Sequence, residues 1–110
     1  MFNMLGKIGE VKDRMEEVKK SLDDIILEES ELDNAVVVEI TAGRKIVSIK
    51  TSDEFYSRYS KEEREDILKE AVNNALEKAE HRSKEETQKA LKEVMPNIPG
   101  MDWNNLPFGV

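Results

Sequence analysis

Apolar residues in the first 25 positions recur in alternating steps of four and three, the spacing of a coiled-coil seam. This seam consists of Met4, Ile8, Val11, Met15, Val18, Leu22 and Ile25. The period predicts a helix about 33 Å long, at roughly 1.5 Å per residue, with one narrow apolar edge. An edge this narrow suits a partner helix better than a globular core. We therefore expect the stretch from Ile8 to Ile25 to form a dimer or partner seam.

Basic residues flank this seam, while the outer face of the predicted helix is acidic. The flanking residues are Lys7, Lys12, Arg14 and Lys19. Two copies paired along the seam would bring like charges together, which disfavours a simple zipper. The cations therefore favour an acidic partner or one made of phosphates. The alternative is that they lay their aliphatic stems along the seam and keep their charges in water.

The hydrophobic period changes to two in the middle of the chain. Alternating apolar residues predict one strand from Ala35 to Thr41 and another from Lys45 to Thr51. Because Gly43 lies between them and tolerates a tight turn, the two strands are expected to form a β-hairpin. Part of the stretch from Ile26 to Leu32 can add an edge strand, since two strands alone are marginally stable.

A capping box predicts where a second long helix begins. The Ser60 hydroxyl can accept a hydrogen bond from a backbone N–H, and Glu63 can reach back to the N–H of Ser60. A second Ser-Lys-Glu-Glu motif begins at Ser83, which leaves open a break near Arg82. We favour a single helix over residues 60–95, ended by Pro96.

Two groups of apolar residues are expected to pack around this second helix. Phe55, Tyr56 and Tyr59 occupy a predicted connection and are expected to fill the core where the sheet meets the helix. The apolar stripe of the helix stops between Glu80 and Lys89 and resumes about a quarter turn away. The two halves should therefore face different partners. The stripe residues are Leu68, Val72, Ala75 and Ala79, then Ala90, Leu91, Val94 and Met95.

Composition narrows the classes of function. The chain has 110 residues and no cysteine, which excludes disulfides, thiolate metal sites and a cysteine nucleophile. The single histidine, His81, lies in a polar run without metal-binding or catalytic spacing, and no glycine-rich phosphate loop precedes a helix. We predict a protein that is not an enzyme and uses no cofactor. Because no segment resembles a signal peptide or a membrane span, we expect a cytoplasmic protein.

A net charge of −7 argues against a polyanionic partner unless cations are grouped locally. On a helical wheel, cations of the second helix fall within an arc of about 100°, and Glu77, Glu80 and Glu86 point elsewhere. The grouped residues are Lys78, His81, Arg82, Lys89 and Lys92. Such a row can follow a phosphate backbone without reading bases. The alternative is that it forms ion pairs with acids one turn away.

The order of these parts resembles the YbaB/EbfC family of bacterial nucleoid-associated proteins. The segments that carry the resemblance are the opening Met1-Phe2, the valine-rich hairpin, Ala71-Val72-Asn73-Asn74-Ala75-Leu76, Thr87-Gln88-Lys89, Pro99-Gly100-Met101 and Leu106-Pro107-Phe108. The resemblance covers essentially the whole chain, with residues 1–95 as one α+β domain and residues 96–110 as an extended tail. It departs from the family where acids replace the glycines expected ahead of the first long strand.

Membership of this family implies a long N-terminal helix, a short antiparallel sheet and a long C-terminal helix, assembled as a tweezer-like homodimer. It implies binding to double-stranded DNA of the nucleoid with little sequence preference, with recombination or replication proteins as further partners. Both basic rows then become predicted DNA-binding residues: Lys7, Lys12, Arg14, Lys19, Lys78, Arg82, Lys89 and Lys92.

A second hypothesis is an acidic dimeric adaptor or chaperone-like protein. It would bind a partner protein through the seam and through Trp103 and Phe108 of the tail. Salt dependence separates the two hypotheses, because phosphate contacts weaken steeply with ionic strength and apolar contacts do not.

Overall fold

The secondary structure follows the predicted order, with one additional short helix. The computed structural model describes residues 3–94, with side chains from residue 8 onward. Its elements are α1 (Asn3–Leu22), β1 (Ile26–Glu31), β2 (Val36–Thr41), β3 (Ile46–Thr51), α2 (Asp53–Arg58) and α3 (Lys61–Val94). The predicted α+β class is thereby confirmed. The tail, including Trp103 and Phe108, lies outside the described residues.

The three strands form one antiparallel sheet in the order β1-β2-β3, so the edge strand expected before the hairpin is present. Val38 in the central strand lies opposite Glu29 of β1 and Ile49 of β3. The register shifts between Glu39 and Ile40, which leaves Val47 of β3 without an opposing residue. Both β1 and β3 are edge strands of this sheet.

The main core lies between β2 and the first half of α3. Val36, Val38 and Ile40 alternate along β2 and are fully buried. Facing them are Ala71, Ala75 and Ala79, which recur every four residues and therefore line one face of α3. Their methyl groups let the helix backbone approach the sheet closely. As a result, α3 covers β1 and β2.

The aromatic residues before α3 lie on a short helix rather than in an irregular connection. Ser52 caps α2, its hydroxyl accepting a hydrogen bond from the N–H of Phe55 at 3.4 Å. Phe55 is 1% exposed, whereas Tyr56 is 59% exposed. Neighbouring residues on a helix point about 100° apart, so only one of this pair can face the core. The core prediction is right for Phe55 and wrong for Tyr56, and Tyr59 is partly buried.

The long second helix is continuous and begins at the predicted cap. The N–H of Glu63 donates to the Ser60 hydroxyl at 3.2 Å, and the N–H of Ser60 donates to the Glu63 carboxylate at 2.8 Å. The helix then runs for 34 residues without a break near Arg82. Where the apolar stripe stops, burial continues through two polar residues, Ser83 and Thr87. Both side chains are small enough to fit between packed elements despite their hydroxyl groups.

The second half of α3 packs against α1 instead of the sheet, as the rotated stripe predicted. Val18 and Leu22 of α1 form a second buried cluster with Ala90 of α3 and Ala42 of the β2–β3 turn. The C-terminal part of the predicted seam is thus filled from within the chain, while Ile8 remains 62% exposed. Contact of the seam with a separate molecule stays a prediction for its N-terminal part.

Candidate nucleic-acid interface

The two basic rows divide into cations that face solvent and cations held by nearby acceptors. On α1, Lys12 and Lys19 are exposed and lie two turns apart on the same face, about 10 Å along the axis. On α3, Lys92 is exposed near the end of the helix. No carboxylate within residues 8–94 pairs with any of these three lysines. The side chain of Lys7 lies outside the described residues.

Arg14 joins the two long helices. Its guanidinium contacts Glu17 of α1 at 3.1 Å and Glu93 of α3 at 3.0 Å. Both contacts are hydrogen-bonded ion pairs, and the side chain of Arg14 is 35% exposed. This arrangement fixes the end of α3 against α1, and a phosphate would compete with two carboxylates for the same donor groups.

Lys78 ties α3 to the edge strand β1. Its ammonium group lies 2.9 Å from the Glu29 carboxylate and donates to the carbonyl oxygen of Glu28 at 2.7 Å. Glu29 is mostly buried, which makes this the most enclosed ion pair of the predicted row. Lys78 therefore has a structural role in the fold.

Arg82 and Lys89 share one carboxylate. Glu86 lies between them, 3.9 Å from Arg82 and 3.7 Å from Lys89. The expectation that Glu86 points away from the row is wrong, because side chains three and four residues apart lie on one helix face. These contacts are longer than the Lys78–Glu29 pair and one carboxylate serves two cations, so a net positive charge remains beside Glu86.

A further group of cations lies where α1 ends and the β2–β3 turn begins. A groove of about 490 Å³ opens there between α1, the turn and Ser83 of α3. Its cations are Lys19, Lys20, Arg44 and Lys45. Of these only Lys19 was predicted from the sequence; Arg44 and Lys45 come close to the end of α1 only when the hairpin folds against it.

On the open face of the sheet, Glu39 and Lys50 pair with each other. Glu39 accepts a hydrogen bond from the Ser48 hydroxyl at 2.6 Å and lies 3.3 Å from Lys50. The Ser48 hydrogen bond, followed by the Lys50 charge, lowers the pKa of Glu39 below its ordinary value. The charge of Lys50 is therefore taken up by Glu39, and we do not assign this face to the interface.

Two other kinds of site find no support in the part of the chain that the structure describes. No group of three or more acidic or histidine side chains is arranged to hold a metal ion among those residues. Within the same residues, no helix is long and apolar enough to cross a bilayer.

The fold and the surface define a small α+β protein whose two long helices pack together and carry solvent-facing lysines. The chain belongs to the YbaB/EbfC DNA-binding family, whose model matches residues 1–94. This match confirms the family assignment expected from the sequence.

Two curated relatives match over nearly the whole chain. A nucleoid-associated protein of Flavobacterium johnsoniae is 34% identical over 102 residues, covering 93% of this chain and 94% of the relative. A nucleoid-associated protein of Alkaliphilus metalliredigens is 27% identical over 101 residues, covering 92% of this chain and 87% of the relative.

Proposed function

We propose that this chain is a nucleoid-associated protein that binds double-stranded DNA as a homodimer with little sequence preference. Membership of the YbaB/EbfC DNA-binding family is the observation that carries the proposal. The names of both relatives agree with it. Association with the nucleoid assigns the chain to the cytoplasm, where it would work beside recombination or replication proteins. Neither role requires catalysis.

Lys12, Lys19 and Lys92 are the main phosphate contacts in this proposal. They are exposed and have no competing carboxylate among the described side chains. Flexible lysines on a helix surface contact phosphates as point charges and carry no information about base sequence. Arg82 and Lys89 can join them by exchanging the one carboxylate that they share, Glu86, for phosphate. Arg14 contacts two carboxylates, and Lys78 contacts a carboxylate and a backbone carbonyl oxygen, so both have more competing acceptors.

The homodimer is proposed to form along β3. This edge strand carries three large apolar residues that are 41–53% exposed, namely Ile46, Val47 and Ile49. By register, Ile46 and Ile49 lie on the same sheet face as Ile40 and Val38, but α3 covers only β1 and β2. An exposed apolar edge with unpaired backbone groups favours pairing with another strand.

The other edge of the sheet is a poorer site for self-association. β1 carries Glu28, Glu29 and Glu31, with Ile26 as its exposed apolar residue. Antiparallel pairing of two such strands would place like charges opposite each other, which is destabilising. Pairing along β3 instead would give a continuous six-stranded sheet, with α3 of both copies on one face. Two sets of lysines would then flank one molecule of DNA.

The dimer is tested by Ile49→Lys, which adds a charge to the proposed contact. Sedimentation equilibrium should give a dimer for the parent protein and a monomer for this variant. Ile26→Lys is the control, because Ile26 lies on the opposite edge with similar exposure, 52% against 47%, and this variant should remain dimeric. A dimer in both variants would rule out pairing along β3.

DNA binding is tested with the triple variant K12Q/K19Q/K92Q. Fluorescence anisotropy on unrelated duplexes should give similar affinities for the parent protein and a steep loss of affinity with salt. The slope of log K against log salt should fall by about 0.9 for each phosphate contact removed. The control R58Q/K61Q/K69Q removes the same charge near the start of α3 and should keep the parental slope. Affinity that is insensitive to salt would contradict the proposal.

The adaptor hypothesis has less surface available to it than the sequence suggested. Val18 and Leu22 of its seam are buried within the chain. Its tail residues Trp103 and Phe108 lie outside the described residues. A salt-independent protein complex, in the absence of any DNA binding, would favour it over the proposed function.

A further inference from the structure

The groove at the end of α1 has an apolar floor and a cationic rim. Leu22 and Ala42 are buried at its base, and Ser83 of α3 closes one side. The rim carries four cations, Lys19, Lys20, Arg44 and Lys45, against two carboxylates, Glu16 and Asp23. The whole chain has a net charge of −7, so the net charge of the groove has the opposite sign.

Arg44, on the rim of the groove, has an unfavourable backbone conformation. Its φ of 67° lies in the left-handed region, where hairpin turns of this kind usually place glycine. The N–H of Arg44 donates to the carbonyl oxygen of Thr41 at 2.9 Å, and the N–H of Lys45 donates to the Thr41 hydroxyl at 3.1 Å. The turn is therefore well defined, and it presents an arginine where local geometry favours a residue without a side chain. Strained positions of this kind cluster at binding sites.

Asp23, at the end of α1, lies against two residues of the β2–β3 turn, Lys45 and Gly43. It pairs with Lys45 at 3.1 Å, which links the end of α1 to the turn. Asp23 also lies so close to Gly43 that a Cβ there would clash with its carboxylate. Gly43 thus permits close approach of α1 to the turn. Lys45 is fixed by Asp23, and Lys19, Lys20 and Arg44 are the cations of the groove without a paired carboxylate in the described chain.

We propose that this groove binds a backbone phosphate of double-stranded DNA, with Arg44 and Lys20 as contacts additional to the two basic rows. This inference rests on the proposed function and specifies where DNA is anchored. An arginine fork donates to two oxygens of one phosphate, and the neighbouring lysines supply charge. Lys19 belongs both to the α1 row and to the groove. A DNA strand that follows Lys12 and Lys19 along α1 would therefore reach the groove that Arg44 lines.

The variant K20Q/R44G tests the groove without disturbing the turn. Glycine accepts a positive φ readily, so Arg44→Gly removes the charge and relieves the backbone. Anisotropy on a 20-bp duplex at 100 and 200 mM salt should show an affinity at least about tenfold weaker than that of the parent. The salt slope should fall by about 1.8 for each bound copy. Circular dichroism should show a melting temperature no lower than the parental value.

The control R58Q/K61Q removes two exposed cations from the region between α2 and α3 and should bind like the parent. If K20Q/R44G kept the parental affinity and salt slope, the proposed function would stand, and the proposal that the groove contacts DNA would be wrong. An equal loss in R58Q/K61Q would also overturn it, since total charge alone would then explain the effect. Absence of DNA binding by the parent protein would overturn both proposals together.

Discussion

The two halves of α3 pack against different partners. One of the two resulting regions contributes mainly to stability, and the other contributes mainly surface charge. The first half lies on the sheet and completes the body of the molecule, residues 26–80. There Val36, Val38, Ile40 and Phe55 are at most 1% exposed. The second half lies on α1, and together they form the arm, residues 8–22 and 81–94. The arm buries a smaller cluster around Val18 and Leu22.

Cations without a carboxylate partner among the described residues occur in both regions: Arg44, Lys61 and Arg64 lie in the body, and the others lie on the arm. Lys12, Lys19 and Lys92 belong to it, whereas Lys78 of the body is bound to Glu29. A thin apolar contact also predicts that the arm opens at lower free energy than the body. Substitutions of buried residues in the body should therefore destabilise the chain most, and charge changes on the arm should alter binding while the fold persists.

The largest expected effect is that of Phe55→Ala in the body. Removing a fully buried phenyl ring leaves a cavity under α3 and should lower the free energy of unfolding by about 3–5 kcal/mol. Urea denaturation followed by circular dichroism measures the loss. Tyr56→Ala is the control, because this neighbouring ring is 59% exposed, and it should cost about 1 kcal/mol or less. Similar losses in both variants would show that Phe55 is not a core residue.

Leu22→Ala should weaken the arm by about 2–4 kcal/mol, because Leu22 packs between α1 and α3. Amide hydrogen exchange should then accelerate in α1 and remain slow in β2. Ile8→Ala serves as the control, since Ile8 is 62% exposed and its truncation should leave exchange unchanged. If β2 amides exchanged faster to the same degree, the arm and the body would be a single cooperative unit.

Features set by local chemistry could be predicted from the sequence. The alternation of valines around Val38 indicated a strand, and the reciprocal bonds of Ser60 and Glu63 fixed the start of α3. The rotated stripe of α3 correctly indicated two packing partners. Each of these signals depends on residues of a single strand or helix, and so tertiary structure did not have to be known.

Features that depend on tertiary contacts could not be predicted from the sequence. Lys78 donates to the carbonyl of Glu28, 50 positions away, so a cation that looked available on a helical wheel is part of the fold. The approach of Glu86 to Arg82 and Lys89, by contrast, follows from their spacing of four and three residues within α3 and could have been predicted. Arg44 and Lys20 meet only after the hairpin packs against α1. Predicting a charged surface requires knowing which carboxylates each cation meets.

Ser83 marks the boundary between body and arm, and its small size is the property that matters there. Ser83→Leu should overpack the contact of α3 with α1 and the β2–β3 turn, at a cost of about 1–3 kcal/mol. Ser83→Ala fits the same space and should change stability by less than about 0.5 kcal/mol. Thermal unfolding distinguishes the two, and a stable Ser83→Leu variant would show that this boundary is loosely packed.

The smallest expected effect concerns the start of α3, in the body. Ser60→Ala should lower the free energy of unfolding by about 1 kcal/mol, because it removes the cap.

The pKa of Glu63 is lowered by hydrogen bonds from the backbone N–H and then the hydroxyl of Ser60, so the carboxylate form favours the folded state. That contribution is complete above the ordinary pKa of 4.5 and is lost as the pH falls through the lowered value. Glu63→Gln keeps the capping geometry without the charge. The denaturant midpoint of the parent should therefore exceed that of Glu63→Gln at pH 7, and the difference should shrink toward pH 2. Equal midpoints for the parent and Glu63→Gln at both pH values would mean that the cap acts through shape alone.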